Sequence, residues 1–166
     1  VLSSLKERKE ENVRGDIKPL AAMQLGQIKE KEKEFRALGL NAIREGKVGA
    51  VLLAGGMGTR LGSDDPKGMY NIGLTKEVYI FQRLIENLLD VVKEAGAWVP
   101  LYVMTSDKNH ENTVRFLKER DYFGYNSEYV TFFMQEMAPA CDHQGKVYME
   151  EKWKISTSPN GNGGWY

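Results

Sequence analysis

Two cations, Arg60 and Lys67, are set seven residues apart in one glycine-rich stretch, Leu53-Ala-Gly-Gly-Met-Gly-Thr-Arg-Leu-Gly-Ser-Asp-Asp-Pro-Lys-Gly68. Glycines at 55, 56 and 58 let the backbone turn sharply and bring its N–H groups close to an anion. A polyphosphate needs that combination of amide donors and positive charge. Arg60 can grip phosphate oxygens with two parallel hydrogen bonds, whereas Lys67 acts as a point charge, and Pro66 stiffens the approach to it. Two common nucleotide loops are excluded. Leu61 stands where the third glycine of a dinucleotide fingerprint belongs, and the loop lacks the Gly-Lys-Ser/Thr ending of a P-loop, because Pro66 precedes Lys67 and Gly68 follows it.

The elements that must hold this loop follow from periodicity. Val48-Gly-Ala-Val-Leu-Leu-Ala54 is a short apolar run of the kind that makes a strand buried on both faces of a parallel sheet. From Glu77 to Ala95, Phe81, Leu84, Ile85, Leu88 and Val92 form a helical stripe that should stop near Gly96. Pro100 to Thr105 predicts a second strand. Asn109 to Arg120 predicts a second helix, capped by Ser106 or Asp107, and Tyr129 to Met134 a third strand. Alternation of this kind implies an open α/β sheet with right-handed crossovers, whose ligands sit at the carboxyl ends of the strands. Gly55-Gly56, Thr105-Ser106 and Gln135-Glu136 should therefore converge on one crevice. Asp142-His-Gln-Gly145 has the composition of a turn between short pairing segments. Leu20 to Leu38 reads as a charged amphipathic helix, with Lys29 to Glu34 as its solvated face. The organisation expected is a helical accessory segment over 1–47, then the α/β unit over 48–166.

Composition narrows the function classes. Acidic and basic residues number 23 each, so no global basic bias points to nucleic acid, and no local basic patch stands out. One cysteine, Cys141, excludes an internal disulfide and a multi-thiolate metal site, which fits a cytoplasmic protein. No apolar run approaches the roughly 20 residues that span a bilayer, so no membrane partner is expected. Cys141 with His143 two positions on is read as a loop thiol with an incidental neighbour, and His110 as a solvent-facing residue of a first helical turn. Asp64 and Asp65 are read as partners of the loop cations or of solvent, and Tyr122 to Tyr125 as a packed helix-to-strand turn. The glycine-rich ending, Asn160 to Tyr166, has the character of a mid-domain loop and suggests an incomplete domain.

The run from Leu53 to Gly68, followed by Tyr70-Asn-Ile-Gly-Leu74, closely resembles the signature of the UDP-sugar pyrophosphorylases, above all the eukaryotic-type UDP-N-acetylhexosamine enzymes. Phe132-Phe-Met-Gln-Glu-Met-Ala-Pro139 is similar to the family segment whose glutamine reads uracil, and Ser158 to Tyr166 to its PDGNGG loop. The resemblance covers roughly 48–166 and implies a nucleotidyltransferase sheet related to the GT-A glycosyltransferases, with helices on both faces. It implies UTP and a sugar 1-phosphate as substrates and uridylyl transfer as the reaction, a non-catalytic UTP-binding module being the alternative.

By the same resemblance, Leu53, Ala54, Gly55 and Gly56 border the nucleotide with their backbone, joined by Gly58 and Thr59 of the same loop. Arg60 and Lys67 face the phosphates as the catalytic pair. Gln135 reads the base through an amide that offers both a donor and an acceptor. Gly161 contacts the base, and Asn162 the nucleotide or the sugar hydroxyls. Mg2+ is the implied cofactor, bridging phosphates. The family's metal-holding aspartate falls beyond Tyr166, so no metal ligand is assigned. Met134, Glu136 and Asn160 depart from the commonest residues of the hexosamine enzymes.

Overall fold

A computed structural model of the chain describes residues 18–56, 62 and 65–159. Two helices, α1 (Leu25–Glu30) and α2 (Glu32–Arg44), come first. Strands β1 (Ala50–Leu53), β2 (Leu101–Thr105) and β3 (Val130–Met134) then alternate with helices α3 (Ile80–Ala95) and α4 (His110–Glu119). They form a parallel sheet of order β1-β2-β3, in which Leu53 pairs with Met104 and Met104 with Phe133. Two short antiparallel pairs follow, β4 (Met137–Pro139) with β7 (Thr157–Pro159), and β5 (Met149–Glu151) with β6 (Lys154–Ile155). The architecture is mixed α/β, as periodicity predicts.

The core lies between the sheet and α3 and α4. Phe81, Ile85 and Val92 from α3 meet Leu101 and Val103 from β2 and Phe116 and Leu117 from α4, all buried. Each such side chain stabilises the fold by about 1.5–3 kcal/mol through loss of apolar surface to water. Helix α3 ends at Gly96, which takes a left-handed conformation (φ 67°) that costs glycine little. Tyr125 closes the bottom of the core. Its hydroxyl donates to the Val99 carbonyl, its ring stands edge-on to Trp98 at 5.2 Å, and burial holds its phenol pKa above the usual range.

Three expectations need correction. The first strand is not buried on both faces: Val51 and Leu53 remain 42% and 41% exposed, and Tyr102, in the same row as Val51, 41%. Among the described residues, helices α3 and α4 cover one face of the sheet. Both crossovers step in the same direction across the sheet, so right-handed connections put α3 and α4 on one side. Second, the N-terminal helix is divided at Lys31 and runs on to Arg44 instead of ending at Leu38. It packs on α3 through an Arg36–Glu94 ion pair (2.7 Å) and a bond from Arg44 Nε to the Ala95 carbonyl (2.9 Å), while Lys29 to Glu34 stay exposed as expected. Third, neither Ser106 nor Asp107 caps α4. Asn109 occupies that position, and its side chain is used elsewhere.

The turn after α4 is packed, as expected. Asp121, Tyr122 and Phe123 take left-handed backbone angles, φ 46° to 53°, which hold Phe123 6.0 Å from Phe116 and 6.4 Å from Tyr79. Asp142 makes the expected hairpin turn, its carboxylate accepting from the Gln144 and Lys146 N–H groups, with Cys141 bridged to Val147. Among the described residues no helix is long and apolar enough to cross a membrane.

Helix α4 carries one polar fault. Thr113 is fully buried, and its hydroxyl oxygen has no hydrogen-bond partner. An unsatisfied buried hydroxyl costs about 1–3 kcal/mol. Thr113→Val should therefore raise the free energy of unfolding by about 1 kcal/mol. A urea midpoint that falls instead would show that the hydroxyl has a partner in solution.

Candidate functional site

The parallel register places the ends of all three strands in one line. Ala54 donates its N–H to the Met104 carbonyl (2.7 Å), and Gln135 donates its own to Thr105 (2.8 Å), so the residues just beyond are Gly55, Ser106 and Gln135. The convergence expected from topology is found, through short-range contacts among these residues.

Gln135 is 7% exposed, and its amide lies against the α-carbon of Gly55. A β-carbon at Gly55 would come within 2.5 Å of Gln135 Nε2 and 3.1 Å of Oε1. Any side chain there would push the amide out of its seat, so it is close approach rather than backbone angle that favours glycine. Leu53 is partly exposed, Ala54 buried and Gly56 exposed, so these backbone positions run from sheet to open crevice within four residues.

Lys67 is brought to the same place. Its N–H donates to the Gly56 carbonyl at 3.2 Å, which ties the far end of the glycine-rich loop back to its root, and its side chain is exposed. The lysine opens a short 3-10 turn, Lys67–Met69, in which Gly68 is buried on the ring of Phe81. A β-carbon at Gly68 would stand 2.1 Å from two atoms of that ring. Phe81, the first residue of the α3 stripe, thus seats the turn that presents the lysine. Asn71 steadies the next turn, its side-chain oxygen accepting from the N–H groups of Gly73 (2.9 Å) and Val78 (3.1 Å).

Of the residues expected at the site, Leu53, Ala54, Gly55, Gly56, Lys67 and Gln135 are brought together. Gly58, Thr59 and Arg60 lie outside the described residues, as do Gly161 and Asn162 and the proposed loop carboxylate Asp64. Cys141 is exposed and gives its thiol hydrogen to the Pro139 carbonyl (3.5 Å), as a loop thiol would. His110 corrects its expectation. Instead of facing solvent it is half-buried, its Nδ1 2.8 Å from the Thr105 hydroxyl and its ring edge-on to Phe132.

Asn109 was missed by the sequence reading. It is 1% exposed, and both ends of its amide are bonded into the floor of the crevice. The available signal was its place, a few residues after a strand end already chosen as a ligand edge, but residue type alone suggested only a helix start.

Chemically, the arrangement offers an amide edge seated on glycine, a run of backbone next to it, and one ammonium at the loop's far root. That set can hold a planar base and an attached anion. Among the described residues no group of three or more His, Cys, Asp or Glu side chains is placed to hold a metal ion.

Comparison with known proteins agrees with the mixed α/β fold. The chain is 46% identical over 140 residues to a UDP-N-acetylglucosamine pyrophosphorylase of Saccharomyces cerevisiae, covering 82% of this chain and 29% of that protein. It is 43% identical over 165 residues to UDP-N-acetylglucosamine diphosphorylase 2 of Arabidopsis thaliana, covering 90% of this chain and 33% of the relative. The crystal structure of the uridine diphosphate N-acetylglucosamine pyrophosphorylase from Trypanosoma brucei in complex with inhibitor superposes with a TM-score of 0.74 at 34% identity, over 82% of this chain and 29% of that one. The chain thus spans about a third of the length of these relatives. Residues 3–166 match the family model UDPGP, described as UTP–glucose-1-phosphate uridylyltransferase, and the chain belongs to that family.

Proposed function

We propose that the full-length protein is a uridylyltransferase that makes a UDP-sugar and pyrophosphate from UTP and a sugar 1-phosphate, on a nucleotidyltransferase fold of the GT-A type. The observation that carries this reading is the Gln135 amide seated on Gly55, one residue from the backbone to which the Lys67 N–H is bonded. In this reading a base-recognising amide and a phosphate-facing lysine stand at the two ends of a single short stretch of backbone.

In the proposed reaction an oxygen of the sugar 1-phosphate attacks the α-phosphorus of UTP. The bond to the bridging oxygen breaks, and that oxygen leaves with pyrophosphate, so no covalent enzyme intermediate is needed. The protein's part in such a transfer is to position the groups and to neutralise charge as it moves. Lys67 would face the α-phosphate and the incoming oxygen, and Arg60 the leaving pyrophosphate. Magnesium enters the proposal as a cofactor held mostly by phosphate oxygens and water, as is common for this ion. N-acetylglucosamine 1-phosphate is the first sugar to try, because relatives 43% and 46% identical carry that sugar in their names, with glucose 1-phosphate as the second.

The test is pyrophosphate release by the full-length protein supplied with UTP and each sugar 1-phosphate. Gln135→Leu should reduce kcat/KM for UTP by about tenfold or more, the order expected when a hydrogen-bonded base edge loses its partner. UTP binding without pyrophosphate release would replace the enzyme with a nucleotide-binding module, and unchanged kcat/KM in Gln135→Leu would remove Gln135 from base recognition.

A further inference from the structure

The three strand ends that frame the crevice are held together by side chains of a single turn, residues 105–110. On one side Asn109, buried, accepts from the Ser106 N–H through Oδ1 (2.8 Å) and donates through Nδ2 to the Ala54 carbonyl at the end of β1 (2.9 Å). Its orientation is forced, since a flipped amide would set donor against donor and acceptor against acceptor. On the other side Thr105, fully buried, donates its hydroxyl hydrogen to the Phe133 carbonyl of β3 (3.1 Å). A carbonyl can only accept, so that hydrogen is spent, and the His110 Nδ1 at 2.8 Å must be the donor to the same hydroxyl.

Ala54 precedes Gly55 by one residue, and Phe133 precedes Gln135 by two. The turn therefore grips β1 and β3 immediately behind the two residues that touch across the crevice. We propose that Asn109 and Thr105 are positioning residues that set the spacing of Gly55 and Gln135, and through it the discrimination of uracil from cytosine. This rests on the reading of Gln135 as the base reader. A glutamine amide turned by a half-rotation exchanges its donor for its acceptor and can match either pyrimidine. Selectivity requires that the amide keep its place at the base edge, and Gly55 is the surface against which it lies.

The experiment measures kcat/KM for UTP and for CTP in the full-length protein. Asn109→Leu is similar in size and removes both bonds to β1 and the turn, and Thr105→Val removes the bond to β3. The ratio of UTP to CTP should fall about tenfold in Asn109→Leu and about threefold in Thr105→Val, as expected for losing one or two hydrogen bonds that fix a recognition group. Saturating kcat with UTP should stay within about threefold, because the phosphate cations are untouched. Should Asn109→Leu fail to fold, Thr105→Val decides alone. Val92→Ala, a core truncation in α3 away from the turn, is the control for general loss of stability and should keep the ratio. An unchanged ratio in every variant that folds overturns the inference, and so does an equal fall in Val92→Ala. A wild type that shows no preference for UTP over CTP refutes instead the reading of Gln135 on which the inference stands.

Discussion

Lys67→Ala in the full-length protein is expected to lower kcat by about 10²- to 10³-fold, the usual loss when a preorganised group aimed at transition-state charge is removed. The lysine is exposed, but its backbone is not free to wander: its N–H is bonded to Gly56, and the following glycine is pressed onto Phe81. A cation placed in this way costs little reorganisation as negative charge builds. KM for UTP should change less than kcat, since the other binding elements, the Gln135 amide and the backbone of residues 53–56, remain. Lys67→Arg should recover only part of the loss, because a planar guanidinium is broader than an ammonium and does not present the same point charge. A mutant with near-normal turnover would remove Lys67 from the chemistry, and one with raised KM at unchanged kcat would make it a binding residue only.

The second large effect is structural. Gly68→Ala would place a methyl group 2.1 Å from the Phe81 ring, which is 2% exposed and packed near Phe116. Neither partner can yield easily, since the ring is in the core and the glycine is backbone. Overpacking of this kind costs about 1–3 kcal/mol. The melting temperature should drop by several degrees, and kcat should fall with it even below the transition, because relief of the clash moves the Lys67 turn. Gly68→Ala with unchanged stability and activity would show that Phe81 does not seat that turn. A companion change, Phe81→Leu in the Gly68→Ala background, should restore part of the stability by making room for the methyl.

Much of this molecule could be read before its structure. The apolar run before Ala54, the stripe from Phe81 to Val92 and the run into Thr105 each specify one element by local periodicity, and their alternation specifies a parallel sheet with the glycine-rich loop at its carboxyl edge. The glycine-rich loop and Gln135 both stand in motifs that mark the family, because close backbone approach admits few residue types. These are properties of short stretches of chain, and short stretches are what sequence patterns report.

Tertiary structure decided the rest. Which face of the sheet α3 and α4 cover depends on which way the two crossovers turn, and an apolar run looks the same in either case. Gly68 resembles any loop glycine until Phe81, thirteen residues on, is found beneath it. Asn109 looks like a helix start, yet its partner is Ala54, fifty-five residues earlier, and His110 turns inward to the Thr105 hydroxyl and the Phe132 ring. Each of these depends on a contact between residues distant in the chain, where the identity of one partner says nothing until folding supplies the other. The sequence alone therefore carried the motifs that mark the family, and only the packed strand ends decided which side chains meet behind Gly55 and Gln135.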